Sequence, residues 1–193
     1  LRWSAASDVY RSQPLNSPPP VAMIVKDVTI IRGPCDEGYP FLQIRNKIDM
    51  IAMAAQNEPS LIKEDDVAYY GLVTERHEMR MKIRVMLKAM IDSGCDAVVV
   101  SAFGCGAYKH PPEEVATLFR EEIETAGPDL PTIVFAILDD HNAHLTHNPK
   151  GNFEVFERIL KKNRKLDAVK QTPSQAGMGG ESGEKVRKGN EIC

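Results

Sequence analysis

The run from Val21 to Ile31 (VAMIVKDVTII) is rich in valine and isoleucine, lacks glycine and proline, and stops at Arg32-Gly33-Pro34. β-Branched residues bounded by turn formers predict one long strand or two successive ones. Lys47 to Ala55 (KIDMIAMAA) is a second apolar run, bounded by Asn57 and Pro59, whose length suits a buried strand better than a helix. After Thr74 the period changes. Met79, Ile83, Met86, Leu87, Met90 and Ile91 recur at helical spacing, which predicts a helix with Thr74 as N-cap and Gly94 as stop. Asp96 to Val100 (DAVVV) and Pro131 to Leu138 (PTIVFAIL) read as buried strands. Between them Pro111-Pro112-Glu113-Glu114 opens a helix whose core stripe is Val115, Leu118, Phe119 and Ile123 and which Gly127-Pro128 ends. Phe153, Phe156, Ile159 and Leu160 mark a last helix from about Asn152 onward.

Helix, strand, glycine loop, helix, strand, helix is the alternation of an α/β fold with a largely parallel or mixed sheet. In such folds ligands bind at the carboxyl ends of the strands. The chain has 193 residues, enough for one domain with trimmings, and the pattern divides it into a folded part, 1–162, and a tail, 163–193. Glycine, serine, glutamine and lysine without periodicity make that tail an expected disordered segment. At the other end, Leu1 to Tyr10 reads as a short amphipathic turn or helix, punctuated by Asn16-Ser-Pro-Pro-Pro20.

Composition narrows the classes. With 42% hydrophobic and 26% charged residues and a net charge of -3, nothing predicts a membrane or sequence-specific nucleic-acid surface. The tail from Lys161 carries +4, leaving -7 on the rest, and its Lys185-Val-Arg-Lys188 reads as a soluble end rather than a polyanion contact. No apolar run approaches the ~18 residues of a membrane span and no secretory leader opens the chain, so a cytoplasmic or nuclear monomer is expected. Cys35, Cys95, Cys105 and Cys193 form no CxxC pair and read as reduced thiols.

The chemistry concentrates in Gly104-Cys-Gly106-Ala-Tyr108-Lys-His110, between a predicted strand and a helix amino terminus. Free backbone N–H groups and a helix dipole there suit an anion such as phosphate. The loop is not a P-loop, since no Gly-Lys-Ser/Thr closes it, and Lys109 stands where the dinucleotide fingerprint needs its third glycine. On spacing alone a plain tight turn between strand and helix accounts for the glycines as well as phosphate binding does.

SAFGCGAYKHPPEEVATLF, the preceding CDAVVV and the following IVFAILDDHN resemble the carboxy-terminal part of the microbial-type poly(ADP-ribose) glycohydrolase domain, and VTIIRG and HNPKGNFEVF extend the likeness. The resemblance runs from about Arg2 through Leu160 and is weakest between Gln43 and Tyr70. It implies a macrodomain-like three-layer fold with a mixed central sheet. It also implies a diphosphate of ADP-ribose wrapped by the backbone of Gly104, Cys105, Gly106, Ala107 and Tyr108, with Tyr108 against a ribose and Asn152 and Phe153 near the nucleotide. Phe153 or Phe156 serves either as core or as a stacking surface for adenine. Poly(ADP-ribose) or an ADP-ribosylated protein is the implied partner, without a cofactor.

The family's catalytic signature, a glycine triplet followed by Gln-Glu-Glu, stands nowhere in this sequence. Gly177-Met-Gly-Gly180 followed by Glu181 lies in the tail and reads as coincidence. Because the chain opens on Leu1 and its first ten residues resemble the segment after that signature, an N-terminally incomplete domain is expected. Its catalytic acid and a first strand would lie upstream. A positioned general acid contributes ~100- to 10,000-fold in rate, so slight or no hydrolysis is expected from these residues alone. Glu113 and Glu114 are candidate replacement acids whose position the helix dipole already explains. Cys105 near His110 suggests a thiol nucleophile, against which stands a small structural thiol. Two other readings remain: a non-catalytic ADP-ribose reader, and a metal-dependent hydrolase on His141, His144 and His147 beside Asp139 and Asp140.

Overall fold

The structure is a computed structural model that describes residues 20–34, 37–139 and 141–161. Leu1 to Tyr10 and the tail after Lys161 lie outside the described residues. In order come β1 (Met23–Thr29), β2 (Lys47–Ala52), β3 (Leu61–Glu64), β4 (Val67–Tyr70), α1 (Val73–Ser93), β5 (Ala97–Val100), α2 (Pro112–Ala126), one 3-10 turn (Gly127–Asp129), β6 (Thr132–Phe135) and α3 (Asn152–Lys161). Strand pairing is mixed. β1 pairs antiparallel with β2, β3 antiparallel with β4, and β5 parallel with β6 in the register Val98↔Ile133 and Val100↔Phe135.

Val21 to Ile31 is one strand rather than two, and β2 is half-exposed instead of buried. The hairpin β3–β4 is new to the sequence reading. Its turn is Asp65-Asp66 with φ of 46° and 61°, left-handed at both central positions as a two-residue hairpin requires. The hairpin turns Ala68 and Tyr70 into the core.

Gly94 ends α1 as expected, with φ 67° and its N–H on the Ile91 carbonyl at 3.1 Å. The cap at the other end differs. Leu72 occupies the N-cap without a side-chain bond, and Thr74 lies inside the first turn. Packing against neighbouring elements rather than a hydroxyl cap therefore starts the helix. α2 begins on Pro112 with Glu113 and Glu114 in its first turn, and Val115, Leu118 and Phe119 are fully buried.

The core sits where α1, α2 and α3 meet β4, β5 and β6. Phe119 of α2, Phe135 of β6 and Phe156 of α3 form an aromatic triangle with centroid separations of 5.3, 6.1 and 6.4 Å. Phe156 is thus core, as one of its two readings held. A second seam joins α1 to α2: Glu122 is buried yet accepts from Arg80 at 2.9 Å and from Arg84 at 2.8 Å, while Arg76 meets Glu114 at 2.6 Å. The two guanidinium groups hold the Glu122 carboxyl below its ordinary range against the opposing effect of burial. Among the described residues no helix is long and apolar enough to cross a membrane.

Replacing Phe119 by alanine removes the ring shared by two of the three aromatic contacts. Phe119→Ala should lower the unfolding free energy by ~3–5 kcal/mol, measured by urea titration. A loss under about 1 kcal/mol would mean that the triangle is not a principal packing contact.

Candidate functional site

Ser101 to His110 connects the carboxyl end of β5 to the start of α2. The parallel pairing of β5 with β6 makes this the strand end where an α/β fold binds its ligands. The loop is closed by its own backbone. Phe103 N donates to Ser101 O (2.8 Å), Cys105 N to Ala102 O (3.0 Å), Lys109 N to Gly106 O (2.9 Å) and His110 N to Gly104 O (3.0 Å). The N–H groups of Gly106, Ala107 and Tyr108 donate to no backbone carbonyl or side chain among the described residues. Three consecutive free amides ahead of a helix amino terminus are donors for an anion.

His110 holds the loop from beneath. Its Nε2 lies 2.7 Å from the Gln56 carbonyl, which only accepts, so this nitrogen carries the proton. Nδ1 of the neutral ring then accepts from the Tyr70 hydroxyl, also at 2.7 Å. Burial lowers the His110 pKa from 6.5 to about 4, with Lys82 and His147 adding smaller repulsions and the bond to Gln56 opposing them. Burial raises the Tyr70 hydroxyl above its ordinary range, helped by nearby Cys105, Glu114 and Glu75, so it remains a donor. A β-carbon at residue 104 would stand 2.8 Å from His110 Cδ2 and 3.0 Å from the Ala55 side chain, and its φ is 78°. Only glycine fits there.

Two further anchors hold the loop, and one of them sets the direction of a free amide. His147 is buried and donates from Nε2 to the Cys105 carbonyl at 3.1 Å. In a trans peptide the carbonyl and the following N–H point opposite ways, so fixing Cys105 O toward His147 turns the Gly106 N–H away from it. Glu58 N donates to Tyr108 O at 3.0 Å, and the Glu58 carboxylate pairs with Lys109 at 2.7 Å. Gln56, Glu58 and Tyr70 escaped the sequence reading. Gln56 and Ser60 are in turn tied to Glu75 of α1 at 3.0 and 2.9 Å.

Gly104 to Tyr108 thus form one surface, with Cys105 buried and contributing only backbone, Ala107 exposed and Tyr108 half-buried. Asn142 borders them, 3.8 Å from where a Gly106 β-carbon would be. Asn152 is turned inward instead. Its side-chain oxygen accepts from Asn148 at 2.9 Å and its backbone N–H donates to Asp139 at 2.5 Å, which also receives the Phe153 N–H at 3.1 Å. This carboxylate caps α3 from a distance. Phe153 is half-exposed and lines an apolar cleft of about 660 Å³ with Ile133, Phe135 and Ile137, a cleft that none of residues 104–108 lines.

The thiol nucleophile is ruled out by geometry. The Cys105 Sγ is fully buried against the Phe103 carbonyl at 3.6 Å, both His110 nitrogens serve other partners, and burial pushes the thiol far above its ordinary range. Glu113 and Glu114 are engaged by Arg158 and Arg76. Asp140 of the metal reading lies outside the described residues, and the histidines of that reading each have another partner. His147 serves Cys105, His144 donates to the Pro149 carbonyl at 3.2 Å, and the exposed His141 accepts from Asn142 at 3.3 Å. No group of three ligating side chains occurs among the described residues. Proline and the left-handed His144 (φ 63°) break the periodicity that a shared face would need.

The sequence matches no protein-family model and no curated protein. The fold matches crystal structures of poly(ADP-ribose) glycohydrolase from Deinococcus radiodurans. One complex with ADP-ribose gives a TM-score of 0.56 at 23% identity, over 72% of this chain and 52% of that one. Another crystal form of the complex gives 0.55 at 22% over 74% and 53%, and the apo form 0.51 at 22% over 72% and 54%. The chain spans about half the length of these structures. The macrodomain-like α/β class implied by the resemblance is therefore borne out, although the described strands pair as three two-stranded sheets rather than as one mixed central sheet.

The neutral buried His110 makes stability depend on pH. Between about 6.5 and about 4 the unfolded chain binds a proton that the folded one excludes, so its contribution is present above about 6.5 and is lost as pH falls through that window. Urea unfolding should show a loss of roughly 2 kcal/mol between about pH 7 and about pH 5. His110→Gln should be less stable at both pH values and nearly flat between them; an undiminished slope in the variant would contradict the assignment.

Proposed function

We propose that this chain binds ADP-ribose, with the diphosphate received by the backbone amides of Gly106, Ala107 and Tyr108 within the loop Gly104 to Tyr108. The observation that carries the reading is that run of three unbonded N–H groups in a loop otherwise closed on itself, at the carboxyl end of a parallel strand. Each hydrogen bond from such a donor to a charged oxygen contributes ~1.5–3 kcal/mol. The fold supports the ligand's identity, since the matched Deinococcus structures are complexes of a poly(ADP-ribose) glycohydrolase with ADP-ribose. Tyr108, half-buried at the loop's end, offers a ring to a ribose. Phe153 offers an exposed face for adenine. Asn152 contributes through the capped start of α3 rather than by its side chain.

Poly(ADP-ribose) or an ADP-ribosylated protein is the partner that this chemistry selects, in the cytoplasm or nucleus, and residues 1–162 are the domain that meets it. In a complete glycohydrolase an acid protonates the departing ribose oxygen while water attacks through an oxocarbenium-like transition state. These 193 residues contain no Gly-Gly-Gly…Gln-Glu-Glu signature, and Glu113 and Glu114 are occupied by arginines. Our reading therefore assigns binding to this chain and cleavage of the ribose-ribose bond to a parent that carries the acid. A reader of ADP-ribose without hydrolysis is the second reading, favoured by the same missing motif.

Calorimetric titration of the full chain with ADP-ribose should give micromolar binding, with AMP weaker. Gly106 has open space toward Asn142 at 3.8 Å, so Gly106→Asp should fold and should abolish binding by setting a carboxylate among the amides. Equal binding by the variant would remove the loop from the site. Incubation with polymer should release no ADP-ribose; release would show that an acid within these residues performs the chemistry.

A further inference from the structure

The ring of His110, 1% exposed, is buried beneath the loop that the residue ends, where it cannot touch a bound anion. It nevertheless joins three distant pieces of chain: Tyr70 on β4, the Gln56 carbonyl after β2, and the start of α2. We propose that His110 is a positioning residue for anion binding, and that its bonds to Tyr70 and Gln56 hold the amides of Ala107 and Tyr108 in their receiving conformation beside that of Gly106. The proposal rests on the ADP-ribose reading and names what sets the affinity of that site.

Backbone geometry carries it. The loop contains two left-handed residues, Gly104 at φ 78° and Lys109 at φ 58°. A lysine in that region is strained and persists only where its surroundings over-determine it. Those surroundings are the bond from Lys109 N to Gly106 O, its ion pair with Glu58, and the ring of the next residue, His110, fixed at both nitrogens. Freed from Tyr70 and Gln56, the ring no longer holds the chain at 110, and Lys109 relaxes toward an unstrained φ. The peptide planes that carry the Ala107 and Tyr108 N–H groups then rotate, and those two diverge from the Gly106 N–H, which His147 still directs through the Cys105 carbonyl. His147 and Glu58 still hold the carbonyls of Cys105 and Tyr108, so the loop loosens without unfolding. Ligand binding must then order it again, which weakens affinity.

The test uses the full chain, with Tyr70→Phe to remove one hydroxyl and keep the ring, and His110→Ala to remove the imidazole. Circular dichroism sets a temperature at which each protein is folded, and ADP-ribose is titrated there. Tyr70→Phe should bind roughly tenfold more weakly and His110→Ala roughly a hundredfold, with faster amide exchange at Ala107 and Tyr108 in both. A merely structural role would lower the melting temperature and leave the affinity of the folded chain unchanged, and that result in Tyr70→Phe overturns the proposal even if His110→Ala fails to fold. Wild-type protein that binds no ADP-ribose would instead bring down the functional reading and this proposal with it. Unchanged affinity beside a binding wild type overturns the positioning role alone.

Discussion

A buried imidazole between one donor and one acceptor is the constraint from which the loop's form follows. His110 donates its Nε2–H to Gln56 O and accepts the Tyr70 O–H at Nδ1, so both ring nitrogens are satisfied without charge. Its ring fills the space a side chain at 104 would need, which makes glycine obligatory there. That neighbour, and not turn formation alone, is why the first glycine of the loop is a glycine. The chain can then fold back on itself in few residues, using four of its own N–H groups and leaving three in sequence without acceptors among the described residues.

Recognition by amides suits a protein body with an acidic balance. The cations near the loop are engaged elsewhere: Lys109 with Glu58, Arg76 with Glu114, Arg80 and Arg84 with Glu122. Those pairs have a second effect. Glu113 and Glu114 stand in the first turn of α2, where their charges suit the helix dipole but would oppose an anion nearby. Arg158 and Arg76 neutralise them at contact distance, so the dipole and the amides act on a ligand with less repulsion. The site proposed for phosphate therefore relies on backbone direction more than on net charge.

The loop's support is also mechanical continuity with the core. Tyr70 belongs to a hairpin whose next residues lead into α1, and Glu75 at the start of that helix holds Gln56 and Ser60, which flank Glu58. α1 is in turn clamped to α2 by the arginine seam, and α2 begins where the loop ends. The glycine loop is thus enclosed by a ring of contacts, β4 to α1 to α2 and back, which explains how a segment with little regular structure holds the left-handed Lys109.

Local pattern determined the three helices, the β5 and β6 strands and the position of the glycine loop, because hydrophobic period, proline and glycine act over a few residues. The resemblance carried by SAFGCGAYKHPPEEV was likewise legible, since it lies in one uninterrupted stretch. The β3–β4 hairpin was not, because its four-residue strands are brief and Asp65-Asp66 lacks the glycine that usually signals such a turn. Asn152 read as a ligand contact and proved to be an interior hydrogen-bond partner of Asn148; composition cannot say which way an amide faces. Nor could it assign His110. Its partners stand 40 and 54 residues earlier in the chain, and only the packing of β4 and the segment after β2 against the loop brings them within 2.7 Å. The type and order of the elements are thus fixed by short-range energetics, whereas the protonation state, direction and rigidity of the site come from burial and long-range hydrogen bonds that exist only once the chain has folded.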